Sequence, residues 1–196
     1  MNMRTFSLMP EQDQRCFFKM KELIYGEELK KAMEYLGAKE DTIFLGQSMI
    51  YGGIAIAQSF ENIPEEKRIE MPVAENLQLG VSNGLAIAGF TPVSVFPRWN
   101  FLLLAADQLV NHLDKLAMMT DDQYKPKVII RVAVGVRKPV DPQEQHVGDF
   151  TEGFKKIVQT VNIVKLNKAE DVMPEYVKAY ERTDGVSTVL VEEHQF

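Results

Sequence analysis

The clearest pattern of apolar and polar positions covers residues 68–101 and predicts a strand, a helix and a second strand. A short β-prone run occupies residues 68–73 and ends in turn-forming residues. Residues 74–88 follow with helical spacing and many small side chains, and Gly89 closes the helix. Residues 92–96 form an apolar run typical of a buried strand. The short connections favour a parallel unit with a right-handed crossover.

The rest of the chain alternates strand and helix patterns in the same way. Helical spacing is predicted at residues 27–36, 54–60, 100–118, 150–158 and 170–182, and strands at residues 42–45, 128–134, 162–166 and 187–192. This alternation predicts an α/β fold, a three-layer α/β/α sandwich around a mostly parallel sheet. We assign residues 26–196 to this single domain, and the weakly patterned residues 1–25 to an N-terminal arm.

Composition narrows the class of protein. With 196 residues and 45% hydrophobic content, the chain has ample material for one core. The net charge of -6, without a basic cluster, argues against nucleic acid or an anionic membrane as partner. Cys16 is the only cysteine, which excludes an internal disulfide and favours a reducing cytoplasm. No run approaches the roughly 20 apolar residues of a membrane helix, and the charged N-terminus lacks a signal-peptide core.

Glu75 is the first candidate for chemistry, because it interrupts an otherwise apolar design. It falls in the first turn of the predicted helix, directly after a predicted strand. Open parallel sheets bind ligands at the carboxyl ends of their strands. The alternative is a charge that only stabilises the helix dipole, by about 0.3–1 kcal/mol. Spacing alone leaves both interpretations open.

Four segments, in order and at consistent spacing, carry a specific resemblance. They are Arg68-Ile-Glu-Met-Pro-Val-Ala-Glu75-Asn, Gly84-Leu-Ala-Ile-Ala-Gly89-Phe-Thr-Pro92, Phe96-Pro-Arg-Trp-Asn-Phe101 and Asp107-Gln-Leu-Val-Asn-His112. The sequence resembles the pyrimidine-binding (Pyr) domain of thiamine-diphosphate enzymes. It is most similar to the N-terminal domain of the β subunit of 2-oxo acid dehydrogenase E1 components, and more loosely to the central domain of transketolases. The likeness extends over about residues 26–193.

The resemblance implies thiamine diphosphate as cofactor, with its aminopyrimidine end bound by this chain. Glu75 matches the family's glutamate beside N1′ of the aminopyrimidine, which promotes the imino tautomer that takes the proton from thiazolium C2. That role requires a carboxyl group in an apolar pocket, where burial favours the protonated form. Val73, Pro97 and Phe101 match residues that contact the ring. An ordinary core aromatic is the alternative for Phe101.

His146 is the second catalytic candidate that the resemblance implies. It matches the E1 β histidine of Gln-His-Ser, which faces the substrate and helps proton transfer or acyl-group handover. Here Val147 replaces the serine. The alternative is a loop histidine that is merely exposed to solvent.

Four further residues are weaker candidates for contact with a substrate. Gln47 stands where E1 β subunits usually carry the first acid of Gly-Glu-Asp or Gly-Glu-Glu, a departure that puts the family's usual substrate in question. Trp99, the only tryptophan, is predicted to line the entrance to the site. Arg137 and Lys138 have the charge to bind an anionic substrate. The alternative is that they are an ordinary pair of solvated charges at the surface.

The site implied by the resemblance is only half of a cofactor site. In this family Mg²⁺ and the diphosphate are held by a Gly-Asp-Gly motif followed by Asn-Asn in a separate PP domain, and Thr183-Asp184-Gly185 lies too near the end to serve. A C-terminal transketolase-type domain is also lacking. We therefore expect no metal ligands in this chain, and a PP-domain (α-like) partner subunit that holds Mg²⁺ in an α2β2 heterotetramer.

The resemblance leaves three functions open. The first is 2-oxo acid decarboxylation with transfer of the acyl or aldehyde unit. The second is transketolase-like ketol transfer or a carboligation, which Gln47 and the lack of a C-terminal domain favour. The third is a non-catalytic regulatory or binding subunit that kept the fold, since a fold does not fix a function.

Overall fold

The computed structural model of the chain describes residues 11–51, 55–135, 137 and 141–193, with only the backbone described at residues 11–23 and 55. Six strands form one sheet: β1 (Thr42–Gly46), β2 (Arg68–Glu70), β3 (Thr91–Phe96), β4 (Ile129–Ala133), β5 (Asn162–Leu166) and β6 (Thr188–Glu192). They lie in the order β2-β1-β3-β4-β6-β5, and every neighbouring pair is parallel. The predicted α/β fold with a mostly parallel sheet is confirmed, and all six carboxyl ends lie at one edge.

Helices cover both faces of this sheet. The helical segments of the described residues are α1 (Glu11–Gly37), α2 (Ala55–Gln58), α3 (Glu75–Ile87), α4 (Trp99–Leu102), α5 (Leu116–Met119), α6 (Thr151–Ile157) and α7 (Ala169–Glu181), with 3₁₀ turns at Glu65–Lys67, Leu103–Ala105 and Glu144–His146 and a π-helical turn at Gln108–Leu113. None of them is long and apolar enough to cross a membrane.

Two hydrophobic clusters, one on each face, give the predicted three layers. Ile129 of β4 packs in the cluster under α1 and α7, and the next residue, Ile130, packs in the cluster under α3 and the segment that follows β3. Successive strand residues point to opposite faces, so a strand covered on both sides needs apolar residues at both sets of positions. This accounts for the β-branched run that predicted β4.

The segment after β3 differs from the single helix predicted over residues 100–118. It is divided into α4, a 3₁₀ turn, a π-helical turn and α5. Its buried positions explain the division: Trp99, Leu102 and Ala105 are buried at intervals of three, and Leu109 and Leu113 follow at intervals of four. Residues three apart eclipse in a 3₁₀ turn, whereas a regular α-helix would carry this series off the core face.

α1 also differs from its prediction, because it begins at Glu11 instead of near residue 27. The helix therefore runs through residue 25, the predicted end of the arm. Tyr25 is buried, and its hydroxyl donates a hydrogen bond to the Leu166 carbonyl at 2.9 Å, which ties this part of the helix to the end of β5. The division into residues 1–25 and 26–196 stays a prediction.

Asp114 joins the segment after β3 to the loop that precedes β5. Its side chain is fully buried, and it accepts hydrogen bonds from the backbone N–H groups of Gln159 (2.9 Å), Thr160 (2.7 Å) and Val161 (3.1 Å). Burial acts to raise the pKa of this carboxyl, but the Lys115 ammonium and these three N–H groups outweigh it and lower the pKa to about 2.

We expect Asp114→Asn to lower the free energy of unfolding at pH 7 by about 2 kcal/mol, since each pKa unit corresponds to about 1.36 kcal/mol. The folded-state pKa lies below the unfolded value of about 3.9. The contribution is therefore fully present above pH 4 and is lost as the pH falls towards 2. Urea unfolding between pH 2 and pH 7 measures it. Asp122→Asn, at an exposed aspartate paired with Lys125, is the control. A stability difference that did not change with pH would contradict the assignment.

Candidate functional site

The loops that leave the carboxyl edge of the sheet carry the site. β2 ends at Glu70, and the Met71 N–H still donates to the Gly46 carbonyl at 2.8 Å, so β1 and β2 stay paired up to the carboxyl edge of the sheet. A short turn then leads into α3, whose first residue is Glu75. The strand, turn and helix predicted from sequence therefore place the glutamate at the ligand-binding edge of the sheet.

Glu75 is buried, with 5% of its surface exposed. Its Oε1 accepts a hydrogen bond from the Gln47 side-chain amide at 3.1 Å, and Gln47 follows directly after β1. The structure thus brings together two residues that the sequence analysis proposed separately. Gln47 is a neutral donor to the carboxyl group, whereas an acid at the same place would add a second negative charge.

Gln78, one turn further along α3, was not predicted. It is buried, and its amide nitrogen donates to the Val95 carbonyl at 3.0 Å and to the Ser94 hydroxyl at 3.1 Å. These contacts fix the first turn of α3, the turn that carries Glu75, on β3. A glutamine on the buried face of a predicted helix needs hydrogen-bond partners, and this requirement could have singled out Gln78 from the sequence.

The sequence predicts Glu70 only as a strand residue. In the structure its side chain hydrogen-bonds to the loop that carries Gln47. Its carboxylate accepts hydrogen bonds from the N–H groups of Ser48 (2.7 Å), Met49 (2.7 Å) and Ile50 (3.1 Å). Arg68 donates to the Met49 carbonyl at 2.9 Å from the other side. Ser48 has a φ of 61°, an unfavourable conformation for a residue with a side chain, which these bonds stabilise.

A second cluster lies over β3 and β4. The rings of Phe101 and His146 meet edge to face with centroids 5.3 Å apart. Both residues are half-buried, and the Nδ1 atom of His146 is buried without a hydrogen-bond partner among the described residues. The Gly148 N–H donates to the Asn100 side chain at 3.3 Å and holds the His146 loop against α4.

The two clusters share one edge of the sheet. Glu75 and Gln47 follow β2 and β1, whereas Phe101 and His146 follow β3 and β4, and the strand order is β2-β1-β3-β4. Neighbouring strands lie about 4.8 Å apart, so β1 and β4 are separated by about 10 Å. One elongated small molecule spans such a distance.

Comparisons with known proteins identify distant relatives of the chain. The chain is 28% identical over 149 residues to the pyruvate dehydrogenase E1 component subunit beta of Rickettsia conorii, a match that covers 74% of this chain and 45% of that protein. It is 26% identical over 145 residues to the mitochondrial counterpart of Saccharomyces cerevisiae, covering 72% and 39%. The chain thus spans less than half the length of these curated relatives. No protein-family model matches it.

Solved structures show the same fold. A split gene transketolase, described as an inactive β4 tetramer, superposes with a TM-score of 0.60 at 17% identity, covering 89% of this chain and 52% of that one. A thiamine diphosphate-dependent 4-hydroxybenzoylformate decarboxylase of Rhodococcus jostii gives a TM-score of 0.59 at 15% identity, covering 86% and 29%.

The chain is a distant homologue of pyruvate dehydrogenase E1 β subunits. Val73 and Pro97 are the other residues that the sequence predicts to contact the cofactor ring. Val73 is 81% exposed and Pro97 is half-buried at the end of β3, so both border the edge where Glu75 lies. Their predicted contact with a cofactor ring stays a prediction, as do the catalytic roles of Glu75 and His146 and the ring contact of Phe101.

Trp99 requires a correction. It is fully buried, its indole N–H donates to the Thr151 hydroxyl at 3.2 Å, and its ring lies 5.1 Å from that of Phe154. The residue belongs to the core between α4 and α6 and does not line an entrance. The first turn of α4 directs Trp99 and Leu102 inward together, a direction that the sequence spacing did not reveal.

Arg137 is exposed, and its charge is already matched within its own loop. Its guanidinium donates to Asp141 at 3.2 Å and to Glu144. The solvated ion pair, one of the two alternatives drawn from the sequence, describes it. Lys138 lies outside the described residues. Within the described part of the chain, no group of three His, Cys, Asp or Glu side chains is placed to hold a metal ion.

Proposed function

We propose that this chain is the Pyr-domain, β-like subunit of a split thiamine-diphosphate-dependent enzyme, and that Glu75 activates the cofactor for 2-oxo acid decarboxylation with acyl or aldehyde transfer. The observation that carries the proposal is the buried Glu75 at the carboxyl edge of the sheet, with one oxygen held by Gln47. Distant homology to E1 β subunits supports the choice of cofactor.

The residues present fit the aminopyrimidine end of this cofactor. The bound cofactor supplies the carbanion chemistry, which protein side chains do not provide. Glu75 is the residue that would exchange a proton with a ring nitrogen of the aminopyrimidine, and the Gln47 amide fixes the direction of its carboxyl group. Phe101 offers an apolar wall, and His146 holds or moves a proton at the substrate.

The second candidate is a transketolase-like ketol transferase or a carboligase. Gln47 favours it, because this position carries an acid in E1 β subunits and here presents a neutral amide to Glu75. Product analysis separates the two, since decarboxylation releases CO₂ from a pyruvate-like donor and ketol transfer does not. Turnover of a ketose phosphate without CO₂ would exclude the first.

We also propose a PP-domain (α-like) partner subunit that holds Mg²⁺ and the diphosphate, in an α2β2 heterotetramer located in the cytoplasm. Distant homology to E1 β subunits supports the partner, and Glu75 lies at the carboxyl edge of the sheet, where the other half of a shared site would join it. The split gene transketolase that shares the fold is described as an inactive β4 tetramer.

The experiment that tests the assembly is equilibrium binding of thiamine diphosphate in the presence of Mg²⁺. We expect binding at least tenfold tighter when the purified chain is mixed with a PP-domain subunit than with either chain alone, since each chain holds one end of the cofactor. Isothermal titration calorimetry measures the difference. If the mixture bound the cofactor no better than this chain by itself, the proposed assembly would be wrong.

A further inference from the structure

The Arg98 side chain has no hydrogen-bond or ion-pair partner among the described residues, which sets it apart from the other arginine side chains that the structure describes. It follows β3 and Pro97 and is the residue immediately before α4. The side chain is half-buried, and its Nη1 atom is sealed from solvent without a hydrogen bond to any described residue. Each of the other described arginine side chains has a partner: Arg68 bonds to the Met49 carbonyl, Arg131 to Glu192, Arg137 to Asp141 and Arg182 to Asp184.

A half-buried guanidinium without an anionic partner is energetically unfavourable. Burial lowers the pKa of Arg98 below its ordinary value, and no described acid acts against that shift. The group nevertheless stays charged, because an arginine does not lose its proton near neutral pH. Removing part of a charged group from water without a counter-charge is unfavourable, so a half-buried cation of this kind normally has an anionic partner. No acidic side chain among the described residues is bonded to Arg98.

Gly135, just past the end of β4, shows where Arg98 lies. A methyl group built on this glycine would be 1.8 Å from the His146 carbonyl oxygen and 3.2 Å from Cδ of Arg98. The arginine side chain and the His146 backbone therefore both lie beside Gly135 at the end of β4, and a side chain at position 135 would clash with the His146 backbone. His146 also has an unpartnered buried nitrogen, Nδ1.

We propose that Arg98 and His146 form an oxyanion-binding subsite at the carboxyl edge of the sheet, which takes the negatively charged group of the substrate. The ligand class is a carboxylate, as in a 2-oxo acid, or a phosphate, as in a ketose phosphate. A guanidinium presents a planar fork of donors that matches both, and the partly buried setting strengthens the bond. The substrate assignment rests on the proposed function, whereas the anion chemistry rests on Arg98 itself.

The subsite replaces Arg137 as the candidate that grips an anion. Arg137 is exposed and already bonded to Asp141 and Glu144, so an incoming anion would have to compete with two carboxylates. Arg98 has no such competitor, and it lies on the same side of the sheet as Phe101 and His146. Arg98 follows β3 and Glu75 follows β2, so both lie at the carboxyl edge of the sheet.

Trp99 provides a natural probe, because it is the only tryptophan and adjoins Arg98 in the chain. We would follow its fluorescence in the full chain during titration with pyruvate and, separately, with inorganic phosphate. We expect a saturable change with at least one of them, and a Kd at least tenfold weaker for Arg98→Met. Arg98→Lys should weaken binding less, since it keeps the charge and loses only the fork.

Arg182→Met is the matched control, because this arginine lies after α7 and pairs with Asp184 beyond the opposite edge of the sheet. Its Kd should equal that of the wild type. Saturation by pyruvate alone assigns a carboxylate subsite, and saturation by phosphate alone assigns a phosphate subsite. No saturable response in the wild type, or equal binding by Arg98→Met, overturns the proposal. The assay contains neither cofactor nor turnover, so its result is independent of whether Glu75 proves catalytic.

Discussion

Replacing Glu75 with glutamine is expected to lower cofactor-dependent turnover in the complex with a PP-domain subunit by about 10²–10⁴-fold, the usual contribution of a positioned proton-transfer group. Glutamine has nearly the same shape and keeps a partner for Gln47, but it cannot exchange a proton with a ring nitrogen. Steady-state rates with pyruvate measure the loss. Size-exclusion chromatography of the variant complex shows whether assembly persists.

Glu152→Gln is the control that addresses the helix-dipole alternative. Glu152 is also in the first turn of a helix, α6, but it is exposed and pairs with Lys155 at 2.9 Å. If Glu75 only stabilised the dipole of α3, both variants would lose a few tenths of a kcal/mol of stability and neither would lose activity. An unchanged rate for Glu75→Gln in an intact complex would favour the non-catalytic subunit.

Arg131→Met is expected to lower the free energy of unfolding by about 3–5 kcal/mol, because it leaves a buried carboxylate without its counter-charge. Arg131 and Glu192 are almost completely buried and are joined at 2.6 Å between Nε and Oε1. The Tyr176 hydroxyl donates to the same carboxylate at 2.9 Å, and Arg131 donates to the Ser59 hydroxyl at 2.6 Å. Urea unfolding at pH 7 measures the loss.

The double variant Arg131→Met with Glu192→Leu separates the cost of an unpaired charge from the cost of lost packing. It should be more stable than Arg131→Met alone, because neither charge then remains in the core. Lys155→Met, in the exposed pair with Glu152, should change the free energy of unfolding by less than about 1 kcal/mol. A double variant as unstable as the single one would show that packing of the arginine dominates.

The sequence by itself determined the alternation of strands and helices and the position of Glu75. β5 was predicted at its observed bounds, and β1, α3 and β3 within about two residues. These elements are short and regular, and each has a buried face whose period appears in the order of the residues. Glu75 could be placed because a strand, a turn and a helix are consecutive in the chain, and parallel sheets bind ligands where such a unit turns.

Only the tertiary structure decided which residues meet across the sheet. The contact of Gln47 with Glu75, the hold of Glu70 on residues 48–50 and the approach of Arg98 to His146 join loops that are separated in sequence but leave adjacent strands. The same holds for Trp99, which is buried against Phe154 and hydrogen-bonded to Thr151, both distant in sequence. The periodicity of apolar residues indicates which side of a helix or strand is buried. Which residues contact that side depends on the packing of segments that are distant in sequence.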